Sequence, residues 1–210
     1  MNKSDGSSAE LSLELLRKGD KSEFARMVEA HSGVVYRLAL KMLDREQDAE
    51  DVLQETFIKA YKALPKFDGR SSLSTWLYRI ATNEALMILR KRKGKAVPVS
   101  IDEPLDMAQG EMEPLQIVDW CCLPEEELMS AEARQYLNEA VEMLPQSLKV
   151  VFLLRDIEGL STRETADVLD LSETAVKTRL SRARLRLREY LTDYYRDRMA
   201  DIIPTKGSEQ

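Results

Sequence analysis

Between Lys177 and Arg188 the sequence sets six cations, Lys177, Arg179, Arg182, Arg184, Arg186 and Arg188, around two short hydroxyls, Thr178 and Ser181. None of these is a nucleophile with a base beside it. What they offer is hydrogen-bond donation and positive charge. A guanidinium fork matches the two acceptors on a guanine edge, and a Lys or Arg on a helix flank neutralises phosphate.

Those residues need a helix to position them. Val176, Leu180, Ala183, Leu187 and Leu191 recur at spacings of four and three and form one apolar stripe. At about 100° per residue the opposite face carries Ala175, Thr178, Ser181, Arg182, Leu185 and Arg186. Lys177, Arg179, Arg184 and Arg188 flank it. From Glu173 to Glu189 six Lys/Arg stand against two Glu, a local charge of +4 in a chain whose total is −6. The segment before it predicts a shorter helix over Thr162–Leu169, with Ser161 as N-cap and Glu164 at capping-box spacing. Asp170-Leu171-Ser172 makes the turn, and Ser172 caps the second helix. A basic helix alone is usually a solvated face. The capped turn before it makes a helix-turn-helix, which favours the DNA major groove.

A second basic stretch runs from Arg70 to Lys95, with seven Lys/Arg and one Glu, a local charge of +6. It begins in a polar loop, PKFDGRSSLST, where Phe67 has no obvious core to enter. A helix follows over Leu73–Lys91, with Leu73, Trp76, Leu77, Ile80, Ala81 and Ile88 as its expected buried side. Tyr78, Arg79, Thr82, Asn83 and Leu86 fall on other faces. Cations interleaved with aromatic and amide side chains suit single-stranded DNA, although Trp76 itself reads as core.

A third set lies on the helix Asp48–Leu64. Its core face is Ala49, Val52, Leu53, Phe57, Ala60, Tyr61 and Leu64. The other face begins with Asp48, Asp51, Gln54 and Glu55 and ends with Lys59 and Lys62. Acid early and base late complements the helix dipole, and the same face could dock a basic partner. Periodicity leaves both readings open.

The rest of the composition excludes much. One histidine, His31, expected on a helix surface, and two adjacent cysteines, Cys121 and Cys122, supply neither a metal set nor a disulfide framework. No catalytic constellation and no cofactor site is expected. No apolar run approaches 18 residues and the N-terminus is polar, so the expectation is a cytoplasmic protein without membrane insertion. Sustained strand-like alternation is absent, so the fold is expected to be all-α. Two small helical domains are expected, at residues 10–95 and 128–192. A disordered N-terminus (1–9), a flexible linker (96–127) and a tail (193–210) complete the chain. From Ala96 to Ala131 there is no Lys or Arg, while nine Asp/Glu and four Pro punctuate the stretch.

LQETFIKAYKAL, FDGRSSLSTWLYRIATNEA and LPQSLKVVFLLRDIEGLSTRETADVLDLSETAVKTRLSRARLRLREYL, in that order, resemble regions two and four of a bacterial RNA polymerase sigma factor of the extracytoplasmic function (ECF) group. The resemblance implies that Asp48, Asp51, Gln54 and Glu55 dock on the polymerase clamp coiled coil, with a further contact to its flap. It implies that Phe67, Arg70, Ser71, Tyr78, Arg79 and Asn83 capture the single-stranded −10 element. It implies −35 base reading by Lys177, Thr178, Ser181 and Arg182, and phosphate contacts by Arg179, Arg184, Ser161 and Thr162. The implied partners are core RNA polymerase, promoter DNA and an anti-sigma protein, and the implied genes are stress- or envelope-response genes. The rival reading is an autonomous helix-turn-helix regulator that binds duplex DNA without polymerase.

Overall fold

The computed structural model describes residues 11–92 and 131–202. Among them every regular element is helical, as the sequence predicts. The expected linker, Cys121-Cys122, residues 1–10 and residues 203–210 lie outside the described residues.

Among the described residues the first element is α1 (Leu13–Arg17), capped by the Ser12 side chain, which accepts from the Leu15 N–H. Gly19, at φ +77°, turns the chain in a left-handed conformation that a side chain would oppose. Asp20 then caps α2 (Lys21–Leu43), accepting from the Glu23 N–H at 2.8 Å. Asp44 ends α2 in the left-handed region, and α3 (Glu46–Ala63) follows after one turn. Pro65 closes α3 into a 3-10 turn over Leu64–Lys66. Ser72 caps α4 (Leu73–Arg92) by accepting from the Thr75 N–H. The helices α2, α3 and α4 pack against one another, and α1 lies on α2 and the 3-10 turn. Met27, Val35, Leu38, Met42, Val52, Leu64 and Leu77 form this core.

After the undescribed stretch come α5 (Ala131–Glu142) and α6 (Gln146–Phe152), with Pro145 between them. A π-helical turn over Leu153–Ile157 continues α6, closed by Gly159 at φ +72°. The Leu160 N–H reaches back to the Leu154 carbonyl at 3.0 Å, satisfying a terminal acceptor. Then come α7 (Thr162–Leu169) and α8 (Glu173–Ile202), which continues past Leu191 into the expected tail. Both α5 and α6 pack on α8. Val150, Val151, Leu153, Leu154, Val176, Ala183 and Leu187 are buried. By contacts, the described residues form two compact units: α1 to α4 with residues 163–171, and α5, α6 and α8.

Candidate nucleic-acid interface

The turn between α7 and α8 is built as the sequence predicts. Asp170 takes φ +55°, where a short polar side chain is tolerated, and the Leu171 N–H bonds the Ala166 carbonyl. Ser172 caps α8 by accepting from the Ala175 N–H at 3.1 Å. On α8 the stripe Val176, Leu180, Ala183 and Leu187 is buried. Leu191, one turn further, is only half-buried. Lys177, Thr178 and Ser181 are exposed, and Arg182 is partly so. Four donors of base-reading type therefore lie outside the buried stripe of a capped helix.

The two flanking arginines differ from expectation. Arg179 is 4 % exposed and does not stand on the outer flank. It is three residues after Val176 and four before Ala183, so it shares their buried side. Arg184 is engaged by Asp156 in a two-pronged ion pair, Nε to Oδ2 and Nη2 to Oδ1, each 2.8 Å. Its charge is answered within the fold, so it is not a spare cation for phosphate. No sequence pattern joins residues 28 positions apart. Of the other expected phosphate contacts, Ser161 is exposed and Thr162 half-buried.

The loop between the 3-10 turn and α4 also departs from its polar reading. Phe67 is 6 % exposed, and its ring stacks on Trp76 with centroids 4.8 Å apart. The Phe67 N–H bonds the Leu64 carbonyl, so the 3-10 turn swings the ring inward. Arg70 and Asn83 are exposed and Ser71 is half-buried. Asp68 holds Arg70, accepting from its backbone N–H at 3.2 Å and from Nε at 2.5 Å. These bonds, with the guanidinium charge, hold the Asp68 carboxyl below its ordinary value. The Asp-Gly-Arg spacing of a side-chain-to-backbone turn is the signal that could have found this pair.

Along α4 the buried arc is rotated from the expected one. Tyr78 is 6 % exposed, and with Thr75, Thr82 and Ala85 it forms a buried row at spacings of three and four. It therefore does not present its ring to a DNA strand here. Arg79 is exposed, beside that row. Trp76, Ile80 and Ile88, expected in the core, are half-buried. Trp76, whose spacing predicts a core position, is thus a partly exposed aromatic at the start of α4.

On α3, Asp51 and Gln54 are exposed and Glu55 is half-buried. Asp48 is paired with Arg92 and lies 3.9 Å from the Arg45 Nε. Arg92 also donates to the Leu43 carbonyl at 2.9 Å. Asp48 therefore ties the end of α4 to the start of α3, an internal role that the docking expectation did not include. Lys59 bridges Glu55 at 3.8 Å and Glu84 of α4 at 2.6 Å, and the Glu84 bond holds the ammonium above its ordinary value. Thr56 is buried, whereas Tyr61, expected in the core face, is exposed and edges against Phe24. His31 is half-buried on α2 rather than on its surface. Among the described residues no helix is long and apolar enough to cross a membrane.

Comparison with known proteins adds two regions and a group of relatives. Residues 27–95 match the family model described as Sigma-70 region 2, and residues 134–187 match Sigma-70, region 4. The ECF RNA polymerase sigma factor SigW of Bacillus subtilis is 35 % identical over 178 residues, 85 % of this chain and 94 % of the relative. The ECF RNA polymerase sigma-E factor of Haemophilus influenzae is 34 % identical over 176 residues, 82 % of this chain and 89 % of the relative. The solved structure of CnrH in complex with the cytosolic domain of CnrY superimposes with a TM-score of 0.60. It is 25 % identical, and the likeness covers 86 % of this chain and 95 % of CnrH.

Proposed function

The chain belongs to the ECF group of RNA polymerase sigma factors, and we propose that it directs core polymerase to promoters by reading two separated DNA elements. The observation that carries this reading is the presence of both matched regions in order on one chain, at 27–95 and 134–187. An autonomous duplex-DNA regulator would need only the second. It is a regulatory subunit, so the polymerase supplies the bond-making chemistry.

In this reading the functional domains are residues 10–95 and 128–192, joined by the acidic linker 96–127. Lys177, Thr178, Ser181 and Arg182 read the −35 element in the major groove. Ser161 and Thr162 contact its phosphates. Arg70, Ser71, Arg79 and Asn83, with the Phe67–Trp76 pair behind them, receive the melted −10 strand. Unstacking a base costs free energy, and capture in a fixed loop offsets part of that cost. Asp51, Gln54 and Glu55 present acidic and amide groups to the basic clamp coiled coil of the polymerase, while the 128–192 domain meets the flap. The protein works in the cytoplasm, where polymerase and promoter are, and an anti-sigma protein restrains it. CnrH, a structural relative, is solved in complex with another protein, the cytosolic domain of CnrY.

Run-off transcription with purified bacterial core polymerase on a library of randomised promoters tests the proposal. The expected result is discrete start sites that share two separated sequence elements only when this protein is present. Failure to bind core polymerase or to confer specificity overturns it. A band shift on duplex DNA without polymerase would then support the autonomous regulator.

A further inference from the structure

We propose that Arg17, on the short α1 helix ahead of the matched region, is a positioning residue that holds the loop Phe67–Ser72 in the shape that discriminates the −10 bases. The inference rests on the reading of that loop as the single-strand receptor. Helix α1, at Leu13–Arg17, precedes the region-two match, which begins at residue 27.

The geometry is a buttress. Arg17 Nε donates to the Phe67 carbonyl at 2.7 Å, across 50 residues of sequence. The same residue's N–H is held by the Leu64 carbonyl, and its ring is buried against Trp76. Phe67 is thus fixed at its donor, its acceptor and its side chain. Two residues on, α1 still lines the loop. A Cβ placed on Gly69 would lie 3.7 Å from Arg17 Nη2 and 4.0 Å from Leu13 Cδ1. Gly69 takes φ +78°, so the loop turns sharply where α1 passes it. Asp68 ties down Arg70, and Ser72 caps α4, which secures the far end. Residues 68–71 are therefore suspended between two fixed points, one of which is Arg17.

The buttress is itself anchored. Leu16 is buried, and the Ser12 N–H donates at 2.5 Å to Glu23, a carboxylate only 5 % exposed. Arg26 donates to the other oxygen of Glu23 at 2.6 Å. The chain of support runs from α2 through α1 to the loop. A pre-ordered loop loses less conformational freedom when a strand enters it, and it holds its donors at fixed separations. Selectivity among bases depends on that second property.

The test is promoter-library transcription by holoenzymes carrying Arg17→Ala, Arg17→Lys or Ser12→Pro, with Arg70→Ala and Asn83→Ala in parallel. Ser12→Pro removes both the N–H that anchors α1 to Glu23 and the hydroxyl that caps it, without changing any residue of the loop. Thermal unfolding of each full chain accompanies the assay. Arg17→Ala is expected to flatten base preference at the −10 element and to lower output from the best promoter about three- to tenfold, the scale of one ordinary hydrogen bond, because the loop keeps its other supports. Preference at the −35 element stays unchanged. Ser12→Pro shifts the −10 profile in the same direction by less. A uniform loss over all promoters that Arg17→Lys restores would make Arg17 a phosphate contact and overturn the proposal. Unchanged −10 preference in Arg17→Ala also overturns it, provided Arg70→Ala or Asn83→Ala does change that preference. If neither does, the loop is not the −10 reader, and the underlying reading fails with the inference.

Discussion

Helices α4 and α8 are both long and both carry the residues assigned to DNA, yet they relate to their sequences differently. On α8 the apolar positions at spacings of four and three are the buried ones, and the exposed polar set begins one residue away. On α4 the bulky apolar residues Trp76, Ile80 and Ile88 are half-buried. Smaller or polar ones, Thr75, Tyr78, Thr82 and Ala85, go inside. The reason is the width of the buried arc, since each helix packs against two others. Helix α4 packs against both α2 and α3 and buries a wide arc, and the small side chains on that arc allow close approach. A single hydrophobic stripe locates a helix whose buried arc is narrow, as on α8. It misplaces one whose buried arc is wide, as on α4.

Truncations test this contrast most strongly. Leu187 and Leu77 are both about 1 % exposed or less, so Leu187→Ala and Leu77→Ala should each cost about 2–5 kcal/mol in denaturant unfolding of the full chain. Ile80→Ala should cost well under half as much, although Ile80 sits in the sequence-derived stripe of α4. Equal losses at Leu77 and Ile80 would mean that α4 buries the stripe its periodicity suggests.

The next effect separates the two surfaces proposed to face DNA. Arg182→Ala should cost about 1–3 kcal/mol of discrimination at one base position of the −35 element and leave the −10 preference alone. Asn83→Ala on α4 should do the reverse. A library read-out in which either change alters both elements would show that the two helices do not read separate parts of the promoter.

What could be read in advance follows the same division. The turn at Asp170–Ser172, the bounds of α7 and the buried stripe from Val176 to Leu187 depend on local capping and on one packing face, and all were legible. Phe67 was not, because its burial depends on a 3-10 turn and on Trp76 nine residues later. The Arg184–Asp156 pair and the Arg17 bond to Phe67 join residues 28 and 50 positions apart. No local period records such partners. Arg179 is expected on a flank of α8, whereas its spacing of three from Val176 and four from Ala183 places it inside. Position outweighed residue type there.

The corrected roles within α8 predict a smaller contrast. Lys177 is exposed, while Arg184 is held by Asp156. Lys177→Ala should therefore reduce the salt dependence of promoter binding by about one phosphate's worth, near 0.9 in the log–log slope. Arg184→Ala should leave that slope unchanged and instead lower stability by about 1 kcal/mol, since both partners are more than two-thirds buried. If Arg184→Ala also lowers the slope, the ion pair opens on DNA and the residue serves both roles.

The smallest effect concerns pH, and it too should divide the molecule. His31 is the sole histidine, and burial on α2 pushes its pKa below the ordinary 6.5. Between that lowered value and 6.5 the unfolded chain binds more protons than the folded one. Stability therefore rises with pH through this window and falls as the pH drops below 6.5. The unit built on α2 should lose protection first on mild acidification, as amide exchange resolved by helix would report. The α5, α6 and α8 unit contains no histidine, so it should hold constant over the same range. His31→Gln keeps a neutral side chain that favours helix and should flatten the dependence in α2 without changing α8. A slope that survives this substitution would show that His31 is not the group responsible.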